Sequence, residues 1–189
     1  MNDFLPTKYE VPSSQDKYMK FIQGDNKFRI LSSPIIGWEF WVDGEDGKRK
    51  PLRKPMDKPF TMDEADDPEK IKHFWAMAVW NYKDEKVQIL EITQKGIQKS
   101  LRALSVDADW GSPVQKYDIT VNKTGEKLET EYQTRPTPPK KMDEGIIKLY
   151  EDMNIVLERL FDGGDPFALD TTKTDKVNDE VDEAMKAFK

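Results

Sequence analysis

Residues 72 to 93, KHFWAMAVWNYKDEKVQILEIT, contain two apolar runs with the period of a β-strand, joined by Lys83, Asp84 and Glu85. Immediately afterwards, in TQKGIQKSLRALSVD, the apolar period lengthens to that of a helix. Ile97, Leu101 and Leu104 then share one helical face, with Thr93 placed as N-cap. A hairpin that runs straight into a helix leaves few architectures open, and the flanking segments narrow them further. Upstream, DKYMKFIQGDNKFRILSSPIIGWEFWVDG reads as short β-segments punctuated by Gly24-Asp25-Asn26 and Ser33-Pro34. Downstream, YDITVNKTGEKLETEYQT predicts a second hairpin turning at residues 123 to 126, closed by PTPP.

A helix over residues 142 to 161 follows, with Ile146, Leu149, Tyr150, Met153, Leu157 and Leu160 as its apolar stripe and Gly163-Gly164 as its stop. The expected order is three β-segments, a helix, two β-segments and a C-terminal helix. That order predicts a mainly β chain with helices, as in a five-stranded OB-like barrel whose helix lies between strands three and four. A β-sandwich, or a mixed sheet with two covering helices, fits the same order. At 189 residues one domain with a real core is expected, over residues 1 to 167, and an acidic flexible tail over 168 to 189.

Several chemistries are disfavoured early. The chain has no cysteine, hence no thiolate zinc site, no disulfide framework and no cysteine nucleophile. Its single histidine, His73, lies in an alternating apolar run, and no G-x-S-x-G turn presents a serine to it. Gly44, Gly47 and Lys48 lack phosphate-loop spacing. The carboxylates Asp63, Glu64, Asp66, Asp67 and Glu69 have the oxygen chemistry for a divalent cation but not EF-hand spacing. A solvated acidic loop is the expectation there, and no enzyme and no cofactor are expected. No apolar run is long enough to span a membrane, and MNDFLPTKYE lacks a secretory layout, so the expectation is a soluble cytoplasmic protein.

Charge is distributed unevenly around a formal net of −6. Between residues 48 and 58, Lys48, Arg49, Lys50, Arg53, Lys54 and Lys58 face only Asp57, in what reads as the start of a long loop reaching residue 70. Five carboxylates crowd residues 62 to 69, and residues 162 to 189 carry eight more against four lysines. Aromatics precede the basic run. Strand alternation sends Trp38 and Phe40 to one face and Trp41 to the other, and separates Trp75 from Trp80 and Tyr82. A core cannot lie on both faces of a barrel wall, so some of these rings are expected to be exposed. Exposed rings beside Lys and Arg make a platform for stacking single-stranded bases while cations track phosphates. The residues singled out for this are Trp38 or Trp41 (one, by alternation), Lys48, Arg49, Lys50, Arg53, Lys54, Trp75, Trp80 and Tyr82.

The stretches KFRILSSPIIGWEFW, FWAMAVWNYKDEKVQILEITQKGIQKSLRAL, WGSPVQKYDITVNKTGEKLETEYQTRP and LFDGGDPF together resemble the phage-type single-stranded DNA-binding proteins of tailed bacteriophages and prophages. The resemblance runs over residues 15 to 167. It implies an OB-fold, sequence-tolerant binding of single-stranded DNA during replication, recombination and repair, no cofactor, and a cytoplasmic setting in a bacterial host. It also leaves room for a homo-oligomer, and implies an acidic tail that contacts replication or recombination proteins. Here Asp179, Glu180, Asp182, Glu183 and Phe188 are the tail residues concerned, although the chain ends on Lys189 and lysines interrupt the acid. Some such proteins insert a zinc held by cysteine and histidine, which this chain cannot form. Two other classes fit the same residues. One is an acidic interaction or DNA-mimic module, also phage-encoded; the other is a carboxylate-dependent nuclease built on residues 63 to 69.

Overall fold

A computed structural model describes residues 17–65, 67–110 and 113–168. Eight strands form among them: β1 (Tyr18–Met19), β2 (Gly24–Ile30), β3 (Ile35–Asp43), β4 (Arg49–Pro55), β5 (Lys72–Asn81), β6 (Lys86–Ile92), β7 (Ile119–Thr124) and β8 (Glu131–Pro136). Two α-helices accompany them, α1 (Lys95–Val106) and α2 (Glu144–Asp152). The anticipated tail lies outside the described residues, apart from Ala168.

The strands make one mixed sheet whose main path is β1-β6-β5-β2-β7-β8, with β3 joined to both β4 and β5. Only β1 and β6 pair in parallel among these strands. β5 organises the rest. One of its edges pairs with β6 along its length, from Trp75↔Ile92 to Asn81↔Lys86. Its other edge pairs first with β3, from Glu39↔Lys72 to Ile35↔Ala76, and then with β2, from Ile30↔Val79 to Phe28↔Asn81. β2 and β3 therefore lie end to end, interrupted where Pro34 cannot donate to a ladder. Ser32 repairs the gap by accepting from Ala78 N at 2.9 Å through its hydroxyl, while Leu31 N donates to Ala78 O at 2.9 Å. The sheet is open, with no ladder joining β8 to β1 or β6.

Both faces of the sheet are buried, which explains the near-continuous apolar run of β5. On one face Phe28, Ile30, Met77, Val79, Leu90 and Ile92 meet Ile97 and Leu101 of α1, as the helical spacing predicts. On the other, Phe74, Ala76 and Ile89 are covered by Leu157 and Leu160. Gln98 locks α1 down: its buried amide donates to the carbonyls of His73 (3.1 Å) and Ile92 (2.9 Å). Thr93 does not cap the helix. Gln94 holds the N-cap position with no side-chain bond, so burial of Ile97 and Leu101, not capping, sets where α1 starts.

The expected helix over 142 to 161 is corrected to two pieces. α2 begins on the Asp143 carboxylate, which accepts from Gly145 N and Ile146 N, and ends at Asp152. Asn154 then takes a left-handed conformation (φ 47°), and Val156 N donates to Pro166 O at 2.9 Å. A 3-10 segment, Leu157–Asp162, replaces the last turns. The break has a tertiary cause: Leu157 and Leu160 are buried under the sheet while Leu149 of α2 is exposed, so the anticipated stripe does not act as one face.

Arg29 of β2 is 1% exposed, and its guanidinium bonds Asp118 at 2.5 Å and the carbonyls of Gln115 (3.1 Å) and Lys140 (3.0 Å). It ties the sheet to two connections far away in sequence. Asp118 also meets Lys27 at 2.9 Å and the Tyr82 hydroxyl at 2.8 Å. Burial alone would push its pKa up, but these hydrogen bonds together hold it below the usual carboxylate value. Removing one partner of a buried pair strands the other charge, so Arg29→Ala and Asp118→Ala are each expected to cost ~3–5 kcal/mol in urea unfolding. The double variant should lose less than the sum, since the two share one interaction.

Candidate nucleic-acid interface

The basic run is not the start of a loop. Residues 49 to 55 form β4, paired with β3 in seven steps from Gly37↔Pro55 to Asp43↔Arg49. Pro51 and Pro55 fit because β4 is an edge strand, bonded on one side only. The turn before it closes through Gly44 N to Lys48 O (2.8 Å), with Gly47 at φ 73°. This register sorts the side chains. One face carries Trp38, Phe40, Lys50, Leu52 and Lys54, extended across β5 by His73 and Trp75. The other carries Glu39, Trp41, Arg49 and Arg53.

On the first face the rings form a connected row. Trp38 lies 5.3 Å from the His73 ring, and its indole N–H donates to Met56 O at 3.3 Å. The Trp75 indole N–H donates to His73 Nε2 at 3.0 Å, which leaves the histidine proton on Nδ1, pointed at Gly37 O 3.0 Å away. His73 is thus a structural bridge between two tryptophans. Phe40 is buried beneath Phe60, with ring centroids 6.1 Å apart. The Lys54 ammonium sits 5.2 Å over the Phe60 ring and pairs with Glu64. An open groove of about 630 Å³ follows the free edge of β4, lined by Lys50, Leu52, Lys54, Phe60 and Phe161.

On the second face Trp41 is 38% exposed, and its indole N–H donates to Glu39 Oε1 at 2.7 Å. Arg53, expected from the sequence to face solvent with the other cations, does not do so. Its side chain is buried, bridging Glu39 (2.9 Å) and Glu91 (2.8 Å) above the Phe74 ring. Two carboxylates share that one guanidinium, and Glu91 Oε1 has no hydrogen-bond partner. Burial pushes the Glu91 pKa up, against the pull of Arg53 and with a further push from Glu39. Lys48, Arg49 and Lys50 remain exposed at the tip of the β3–β4 ribbon, with Arg49 Nε 3.6 Å from Asp43.

Trp80 and Tyr82 belong elsewhere. They lie at the opposite end of β5 from Trp75, with about 17 Å of strand between Trp75 and Trp80 at ~3.3 Å per residue. Trp80 pairs with Arg29 and Val87. Tyr82 stacks under Lys27 (4.5 Å) and bonds Asp118; burial first, then that hydrogen bond, push its pKa up to about 12. The acidic stretch is divided among local tasks. Glu64 accepts from Thr61 N (2.9 Å) and Thr61 Oγ1 (3.0 Å), and Asp67 caps the 3-10 turn Pro68–Lys70. Asp66 lies outside the described residues, and among the described ones no three His, Asp or Glu side chains converge to hold a metal. The tail residues Asp179, Glu180, Asp182, Glu183 and Phe188 are likewise outside them.

Sequence reasoning missed Phe60, Glu64, Glu39 and Glu91 as neighbours of the ribbon. The lone aromatic in KPFTMDEAD was the available signal for Phe60, since an apolar ring inside a polar excursion needs somewhere to pack.

The raised pKa of Glu91 makes a signed prediction. The folded state holds this proton more tightly than the unfolded chain, so the group adds stability as pH falls through its folded pKa towards 4.5. Glu91→Gln cannot titrate. In urea unfolding, its stability relative to the parent should therefore worsen as pH falls from 7 to 4.5; an unchanged difference over that window would remove Glu91 as the cause.

Comparison of the chain with protein-family models, with curated proteins and with solved structures finds no match.

Proposed function

We propose that the chain is a non-catalytic protein that binds single-stranded DNA along the β3–β4 ribbon. The observation that carries this reading is the cross-strand register. Trp38 opposite Lys54, and Val42 opposite Lys50, put rings and cations on one face, while Trp41 and Arg49 share the other. Rings supply stacking worth ~1–3 kcal/mol per base whatever the base, and cations follow the phosphates. Such a platform favours single strands over duplex, whose bases are already stacked, and carries little sequence preference. The contacting set is then Trp38, Trp41, Lys48, Arg49, Lys50 and Lys54, with Trp75 behind Trp38 and without Arg53.

Strand order adds support. The path β6-β5-β2-β7-β8, with α1 between β6 and β7, is the order of strands three, two, one, four and five in an OB-fold. In that reading β2 and β3 are the long first strand, and β4 belongs to the connection between the first and second. That connection is one of the two loops through which OB-folds hold oligonucleotides. The ladder that would close the barrel is not made. A role in phage replication, recombination or repair, in a bacterial cytoplasm and with partner proteins recruited by the acidic tail, extends the same proposal.

The test is intrinsic tryptophan fluorescence of the whole protein titrated with oligo-dT across salt concentrations. Binding should weaken with salt, and replacing Lys48, Arg49 and Lys50 together by alanine should flatten the log–log slope by about 2, at ~0.7 for each phosphate no longer neutralised. Weakened binding with an unchanged slope would assign the three cations to folding. Absence of binding at low salt would instead support an acidic interaction module, the reading that the net charge of −6 favours.

A further inference from the structure

We infer that Phe40, Lys54 and Trp38 form a subsite for one nucleotide, and that the chain's own residues Phe60 and Glu64 fill it in the free protein. The inference rests on the single-strand reading above and gives it a location and a regulator. A nucleotide offers a flat ring and an anion. Segment 56–65 offers the same pair in the same place: the Phe60 ring packs on Phe40, and the Glu64 carboxylate engages Lys54. One ammonium touches both, since Lys54 Nζ also lies 5.2 Å over the Phe60 ring. Met56 O meanwhile occupies the Trp38 indole N–H at 3.3 Å, a donor suited to a phosphate or base oxygen.

The arrangement is built, not incidental. Thr61 holds the Glu64 carboxylate through both its backbone N–H and its hydroxyl, at 2.9 and 3.0 Å. The hydrogen bonds from Lys54 first, and then from Thr61, pull the Glu64 pKa down to about 2, so the carboxylate is an anion at neutral pH. Ala65, only 1% exposed, buries the far end of the segment and donates its N–H to Thr61 O at 3.2 Å. Glu64 itself is a surface group, with 41% of its side chain exposed, and a surface ion pair is weak enough for a strand of phosphates to displace. The segment is therefore a resident competitor: it shields the row of rings from solvent and yields to single-stranded DNA.

Glu64→Gln in the full chain tests this, because it removes the anion and keeps the shape. At low salt it should bind oligo-dT about two- to fivefold more tightly than the parent, the range expected for removal of a competing surface ion pair. Its salt dependence should also steepen by ~0.7, because no freed Glu64 carboxylate then takes up a cation to offset the one Lys54 displaces from a phosphate. Glu151→Gln, which makes the same change in net charge on the exposed side of α2, should do neither. Equal tightening in both variants, or none in Glu64→Gln while the parent binds, overturns the subsite. Failure of parent and variants alike to bind oligo-dT at low salt overturns the single-strand reading itself. Phe60→Ala should tighten binding too. Should it fail to fold, amide hydrogen exchange at residues 61 to 65 of the parent decides: faster exchange with oligo-dT is expected, and unchanged exchange in the bound protein refutes displacement.

Discussion

The hydrogen-bonding of one strand, β5, governs the molecule. Its ten residues satisfy one edge with β6 and the other with β3 and then β2, so three separate stretches of chain are aligned by a single template. Because both of its faces are covered, each side chain along it is committed to one core or the other. The same strand sets where the rings go. His73 and Trp75 are delivered beside Trp38, whereas Trp80 and Tyr82 emerge beside Arg29 and Asp118 at the far end. A change that slipped β5 by one residue would exchange the two cores and dismantle both clusters together.

Charge in this protein divides into two kinds. Arg29 and Arg53 are desolvated and bonded to buried carboxylates, and their planar guanidinium groups can satisfy several acceptors at once. Lys48, Arg49 and Lys50 stay in water, where their interactions are screened by salt and open to exchange. Lys54 stands between, half-buried and held by Glu64. A count of cations in the sequence treats all of these alike, and only the solvated ones bear on binding a polyanion. The net charge of −6 does not say where charge is usable: Glu39 and Asp118 are turned inward onto Arg53 and Arg29, Asp67 and Asp143 cap a turn and a helix, and Lys48, Arg49 and Lys50 stay solvated beside Asp43.

Where local pattern and tertiary packing agree, the sequence was legible. The turn at Lys83 to Glu85 and the helical face of Ile97 and Leu101 appear where periodicity puts them, because a half-buried strand or helix must repeat its apolar positions at its own pitch. Where they disagree, packing prevails. Pro51 and Pro55 argue for a loop, yet they are accommodated in an edge strand whose outer side needs no donor. The apolar stripe from Ile146 to Leu160 argues for one helix, yet the chain turns at Asn154 and Leu157 and Leu160 are drawn beneath Phe74 and Ala76.

The sequence by itself determined which segments are strands and helices in the centre of the chain, that β-structure dominates, and that rings and cations adjoin between residues 38 and 54. These are consequences of spacing, and spacing is a property of the chain. Only the tertiary structure decided that the sheet stays open, that Arg53 is buried while Lys50 is exposed, and that Trp38 shares a face with Lys54 and Trp41 does not. It alone brought Phe60 and Glu64 onto the ribbon. Those outcomes depend on which strand becomes an edge and which segment returns to cover it, and contacts between residues far apart along the chain leave no period in the sequence to be read.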